Sequence, residues 1–147
     1  MNQNYKKHCE LVNRQIKELF GVYRDAAKDL DVSETEFWIW YTLLNVDGEH
    51  TQQDICIKWS LPKQTVNTIM TRLRLMKYVY LEVIPGTRNR KVIRLTEAGR
   101  AYGEKMIYPI TQAEEKALAK IPPEELEFVN QIIGKYIRIV KGELAAT

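Results

Sequence analysis

Cysteine is scarce in this 147-residue chain, where Cys9 and Cys56 stand alone. Two thiols so far apart build neither a disulfide scaffold nor a metal-ligand spacing, and they suit a reducing compartment. Histidine is equally sparse. His8 and His50 are isolated, so no metal site is expected and both are read as surface residues. The chain lacks a glycine-rich phosphate loop, a nucleophile motif and any carboxylate pair at characteristic spacing, so neither an enzyme nor a cofactor is expected. No apolar run is long enough to cross a bilayer, and Met1 to Glu10 is polar, unlike a secretory signal. The expected location is the cytoplasm, with no membrane partner. Strong charge of one sign is missing too: a net charge of +3 does not by itself imply nucleic acid.

The residues present are those of a globular protein. A hydrophobic fraction of 45%, 10% aromatics and 28% charged residues suffice for one domain that folds without staples. The distribution of charge is uneven. Arg72, Arg74, Lys77, Arg88, Arg90, Lys91 and Arg94 stand against the single acid Glu82, which places positive potential on the middle of the chain.

Periodicity predicts the elements. Leu11, Val12, Ile16, Leu19, Phe20, Tyr23 and Ala27 share one face of a long helix over 5–28. Ser33 with Glu36 forms a reciprocal cap for a second helix, whose stripe is Phe37, Trp40, Tyr41 and Leu44 and which stops at Asp47-Gly48. Thr51 with Asp54 caps a short third helix ending near Trp59, and Ser60-Leu61-Pro62 joins it to a fourth over 62–76. Two helices so closely joined suggest a helix-turn-helix. Strand-forming residues at 80–84 and 91–95 flank a basic loop, which predicts a hairpin. Thr96 caps a fifth helix from Glu97 to about Ala119, bent at Pro109. A sixth follows Ile121-Pro122-Pro123 with an apolar stripe of Leu126, Val129, Ile133, Tyr136, Ile137 and Val140, and ends near Gly142.

The fourth helix carries the functional reading. Val66, Ile69, Met70 and Leu73 fix its buried face. Gln64, Asn67, Thr68 and Thr71 point away from it, and such uncharged polar side chains can read base edges. Lys63 and Arg72 flank them as phosphate contacts. Arg88, Asn89, Arg90 and Lys91 form a hairpin tip whose cations repel one another unless an anion is near, and duplex DNA is such an anion. Taken one at a time, either element also reads as a solvated surface.

The segments Thr51-Gln52-Gln53-Asp54-Ile55-Cys56, Leu61-Pro62-Lys63-Gln64-Thr65-Val66 and Arg94-Leu95-Thr96-Glu97-Ala98-Gly99, with the hairpin between the last two, resemble the MarR family of winged helix-turn-helix transcription regulators. The resemblance spans essentially the whole chain. It implies a mainly α fold with a small antiparallel β-hairpin wing, in which 33–103 is the DNA-binding lobe and 1–30 and 104–147 are dimerisation helices of a single subunit. Thr51 and Gln52 are expected on the DNA backbone. The family commonly carries Asp-x-Arg at the wing. Here Thr87 and Asn89 occupy those places, so the Asp salt bridge is absent and Arg88 and Arg90 stand in a shifted register. Cys56 takes a small-residue packing position, and Cys9 is read as a plain surface or interface cysteine.

The implied function is a sequence-specific, ligand-responsive repressor that binds a pseudo-palindromic operator as a homodimer. Its partners would be double-stranded DNA, a second copy of itself and a small-molecule effector. Trp38, off the apolar stripe of its helix, and Tyr41 are the expected pocket residues. Two other readings fit the same residues: an effector-independent architectural DNA binder, and a winged-helix adaptor for an acidic protein.

Overall fold

A computed structural model describes residues 1–147 and divides them into two compact units, Met1–Tyr108 and Pro109–Thr147. The element order is α1 (Gln3–Asp29), α2 (Glu34–Asn45), α3 (Gln52–Trp59), α4 (Lys63–Leu75), β1 (Val79–Val83), β2 (Lys91–Leu95), α5 (Glu97–Leu118) and α6 (Pro123–Ala145). No helix is long and apolar enough to cross a membrane.

The first unit is organised around α2. A one-sided stripe was expected there, yet Glu36, Phe37, Trp38, Ile39 and Trp40 are buried in succession. A stretch of helix covered on all sides, as 36–40 is, has no solvent face for its period to mark. Tyr23 of α1 packs its ring on Phe37 and Trp38, and Ala27 one turn on is buried. The C-terminal end of α1 therefore belongs to this core. Thr42 is wholly buried; its hydroxyl donates to the Trp38 carbonyl (2.7 Å) and accepts from the Trp59 indole N–H (2.5 Å), which ties α3 to α2. His50 is also inside, its Nε2 bonded to the Val46 carbonyl at 2.9 Å. That corrects its reading as a surface residue.

Local chemistry sets the boundaries. Thr51 and Asp54 form the expected capping box on α3. At α2 only half of the expected box forms: the Ser33 hydroxyl accepts from the Glu36 N–H, while the Glu36 carboxylate turns inward to Trp40 and Arg72. The hairpin is antiparallel with Val79 opposite Leu95 and Val83 opposite Lys91. It is fastened to the preceding loop by Ile93 N–H donating to the His50 carbonyl at 2.9 Å. Thr96 caps α5 by accepting from the Gly99 N–H at 3.0 Å.

The second unit holds the end of α5 and all of α6. Helix α5 continues through Pro109, and α6 passes Gly142, its expected end, to reach Ala145. A glycine favours a helix end through its ready access to the left-handed conformation, which Gly142 does not adopt. Not one residue of α6 is buried. Phe128, Ile132, Ile139, Tyr136, Val129, Ile133, Ile137 and Leu144 are all exposed. At 3.6 residues per turn they cover about half of the helix circumference.

Candidate nucleic-acid interface

The helix-turn-helix is built by α3, a tight turn and α4. Ser60 takes the left-handed conformation (φ 53°) and the Leu61 N–H closes back on the Cys56 carbonyl at 3.0 Å, ending α3 in one residue. Pro62 then opens α4 with no side chain capping it. Val66, Ile69, Met70 and Leu73 are buried as expected. Lys63, Gln64, Asn67, Thr68, Thr71 and Arg72 are exposed.

Hydrogen bonds decide what this surface can offer. The Thr68 hydroxyl donates to the Gln64 carbonyl (3.0 Å) and the Thr71 hydroxyl to the Asn67 carbonyl (2.8 Å). Both threonines therefore present a methyl group and oxygen lone pairs, and the outward donors are the amides of Gln64 and Asn67. The amide of Gln52 donates to Asn67 Oδ1 at 3.4 Å. Gln52 thus buttresses the adjoining helix. Thr51 has its hydroxyl oxygen engaged by the Asp54 N–H at 3.0 Å.

The wing lies beside the start of α3. Thr51, Gln52, Gln53 and Asp54 line one wall of an open notch, and Leu81 with Arg88, Asn89, Arg90 and Lys91 lines the other. The loop is closed by Ile84 N–H donating to the Arg90 carbonyl (3.0 Å), with Gly86 and Asn89 at positive φ. Arg90 reaches Asp54 at 3.5 Å. The carboxylate missing from the wing itself is therefore supplied from α3. The backbone hydrogen bond from Thr51 holds the Asp54 carboxyl below its ordinary value against the opposing effect of burial, with the Thr51 hydroxyl and the Arg90 charge adding to the lowering.

Counting charges along the sequence overstates the free positive potential, because the fold brings distant acids to three of the seven cations. Arg94 is bound by Glu82 and Glu49, each at 2.6 Å, which push its guanidinium above its ordinary value. Arg72 pairs with Glu36, and Arg90 with Asp54. Arg88 and Lys91 on the wing, and Arg74 and Lys77 around the end of α4, have no acid partner. Glu36, Glu49 and Asp54 were missed as partners because nothing in local sequence pairs residues 36 or 45 positions apart.

The expected pocket residues fall differently. Trp38 is only 9% exposed, stacked on Trp59 with centroids 4.5 Å apart and 19° between planes. It forms the inner wall of an open cleft whose rim includes Lys17, Phe20, Arg24 and Glu34. Tyr41 packs edge-on against Trp38 and Trp59 and does not line the cleft. Cys56 is buried, and desolvation pushes its thiol up. Cys9 is half-buried.

No protein-family profile matches the chain. An uncharacterized HTH-type transcriptional regulator, YcgE of Bacillus subtilis (strain 168), is 28% identical over 102 residues. That alignment covers 69% of this chain and 66% of YcgE, just under two thirds of its length. The fold is similar to that of NMB1585, a MarR family regulator from Neisseria meningitidis, with a TM-score of 0.82 at 23% identity over 99% of this chain and 98% of that one. MepR of S. aureus in its DNA-binding conformation gives a TM-score of 0.70 at 19% identity, covering 90% and 98%. The MepR–DNA complex gives 0.60 at 21% identity, covering 90% and 97%. The chain thus has the winged helix-turn-helix fold of the MarR family regulators.

Proposed function

We propose that this chain is the subunit of a homodimeric, sequence-specific DNA-binding transcription regulator. The observation that carries the reading is the joint exposure, on one compact unit, of the uncharged polar face of α4 and a wing tip with unpaired cations. On α4, Gln64 and Asn67 supply donors, while Thr68 and Thr71 supply methyl groups and acceptors for base edges. Lys63, Arg88, Arg90 and Lys91 supply phosphate neutralisation, with Thr51 and Gln52 beside the backbone. A regulator of the same fold, MepR, has been seen bound to DNA.

Dimerisation follows from α6. An apolar arc of about half the circumference is wider than a two-helix seam needs, and exposed Leu11, Leu19, Phe20 and Val22 of α1 add a second unpartnered apolar surface. A two-fold partner is the usual way to cover such faces. Two copies of α4 would then meet successive major grooves about 34 Å apart. Repression follows if that spacing occludes a promoter.

The cleft over Trp38 suits a small aromatic acid, because aromatic walls at Trp38, Trp59 and Phe20 lie beside the cations Lys17 and Arg24. Such an effector would release DNA only by favouring a dimer with wrongly spaced helices. The test is enrichment of duplexes from a random-sequence pool by the full-length protein, with its mass in solution measured in parallel. The reading expects an enriched inverted repeat bound by a dimer. Failure to enrich any sequence, or a monomer, overturns it.

A further inference from the structure

Glu36 is the one buried carboxylate of the chain, with 4% exposure. Its Oε1 accepts from the Trp40 indole N–H at 3.3 Å and its Oε2 from the Arg72 guanidinium, which comes across from α4. The Arg72 side chain is 51% exposed, so its stem spans from the core to the surface. An ion pair of this kind seldom adds stability over an apolar replacement, and its best-attested use is to fix register.

The helix α4 needs such a device. Its buried contacts are Val66, Ile69, Met70 and Leu73, and aliphatic burial is non-directional, so it resists a small roll of the helix only weakly. A charge-assisted guanidinium–carboxylate contact is directional. The carboxylate is itself held in place, because Trp40 is wholly buried and packs on Tyr102 (5.4 Å), which stacks on Tyr78 (4.6 Å, 19°) just beyond α4.

We infer that Arg72 is a positioning residue: through Glu36 it fixes the roll of α4, and so the direction in which Asn67 and Thr68 face, rather than neutralising a phosphate. This rests on the DNA-binding reading above. It adds that sequence preference depends on a core carboxylate that never meets DNA.

The test uses the full-length protein, a duplex it enriches from a random pool, and a duplex of unrelated sequence. Arg72→Gln and Glu36→Gln are each expected to lower affinity for the enriched duplex about tenfold. Affinity for the unrelated duplex and the salt slope should stay unchanged, and the double variant should be no weaker than the weaker single one. Arg72→Lys keeps a cation beside Glu36 and is expected to retain intermediate preference; should a glutamine variant unfold, it is read alone. For Arg72→Lys, reduced preference at parental salt slope supports the proposal and full parental preference overturns it. A slope shallower by about 0.9 in Arg72→Gln on both duplexes, with Glu36→Gln at parental values, would make Arg72 a phosphate contact. Equal losses on both duplexes in both variants would overturn the proposal as well. If the parental protein enriches no sequence, the DNA-binding reading itself fails, a result distinct from preference lost only in the variants.

Discussion

A Cβ atom placed on Gly99 would lie 1.8 Å from the backbone carbonyl oxygen of Tyr78. The start of α5 therefore rests directly on the chain leaving α4, and the same carbonyl accepts from the Thr96 N–H at 3.0 Å. Because the obstacle is backbone, it cannot swing aside. Gly99→Ala is expected to cost about 3 kcal/mol or more, measured by urea unfolding. Gly103→Ala meets side chains rather than backbone, the Trp40 ring at 2.6 Å and Leu44 Cδ1 at 2.9 Å, so a smaller loss of about 1–3 kcal/mol is expected. The reverse order would show that the contact at Gly99 is not as tight as described.

The two wing arginines differ in their partners. Arg90 has Asp54 at 3.5 Å and Arg88 has no acid. Arg88→Ala and Arg90→Ala are each expected to make the dependence of log affinity on log salt shallower by about 0.9 per lost phosphate contact. Gln64→Ala should reorder preference among sequences with the slope intact. Titrations at several salt concentrations read both effects, and an unchanged slope in both arginine variants removes the wing from the interface.

Asp54 links the capping of α3 to pH. Its folded value lies below the unfolded value of about 3.9, chiefly through the Thr51 backbone hydrogen bond. Its charge thus contributes stability that is complete above the unfolded value and lost as pH falls through the folded one. With the side chain 39% exposed, solvent screening limits this contribution to about 0.5 kcal/mol. Asp54→Asn should therefore be slightly less stable than the parent at pH 7 and equal to it near the acid limit. A difference that grows toward low pH would contradict the assignment.

Cys56 is buried with its thiol pushed up by desolvation, so the reactive thiolate is doubly suppressed. Its alkylation by iodoacetamide should follow global unfolding, with a rate that rises along the urea transition. Rapid labelling in native buffer, located at Cys56 by peptide mapping, would show an opening at the packing of α3.

Helix starts were more legible than helix ends. Thr51 with Asp54 and Thr96 act through side chains that name themselves in the sequence. By contrast α1, α3 and α4 end on left-handed residues that are not glycine: Asp31, Ser60 and Lys77. In α4 the closure is made by Tyr78 N–H to Leu73 and Lys77 N–H to Arg74, a backbone pattern that any residue able to bear the strain adopts. The polar face of α4 and the basic wing could be read from local period and composition. The carboxylates that engage Arg72, Arg90 and Arg94 could not, since tertiary pairing has no local signature. The same holds for α2, where burial of five successive residues, Glu36 to Trp40, blurred the stripe that marks an amphipathic helix.

In the proposed complex, two copies of α4 are presented together to one duplex. Hydroxyl-radical footprinting of the full-length protein on its enriched duplex tests this most directly. Two protected patches related by two-fold symmetry, with centres about 10 base pairs apart or a whole multiple of that, are the predicted result. A single protected patch, or protection without symmetry, would contradict it.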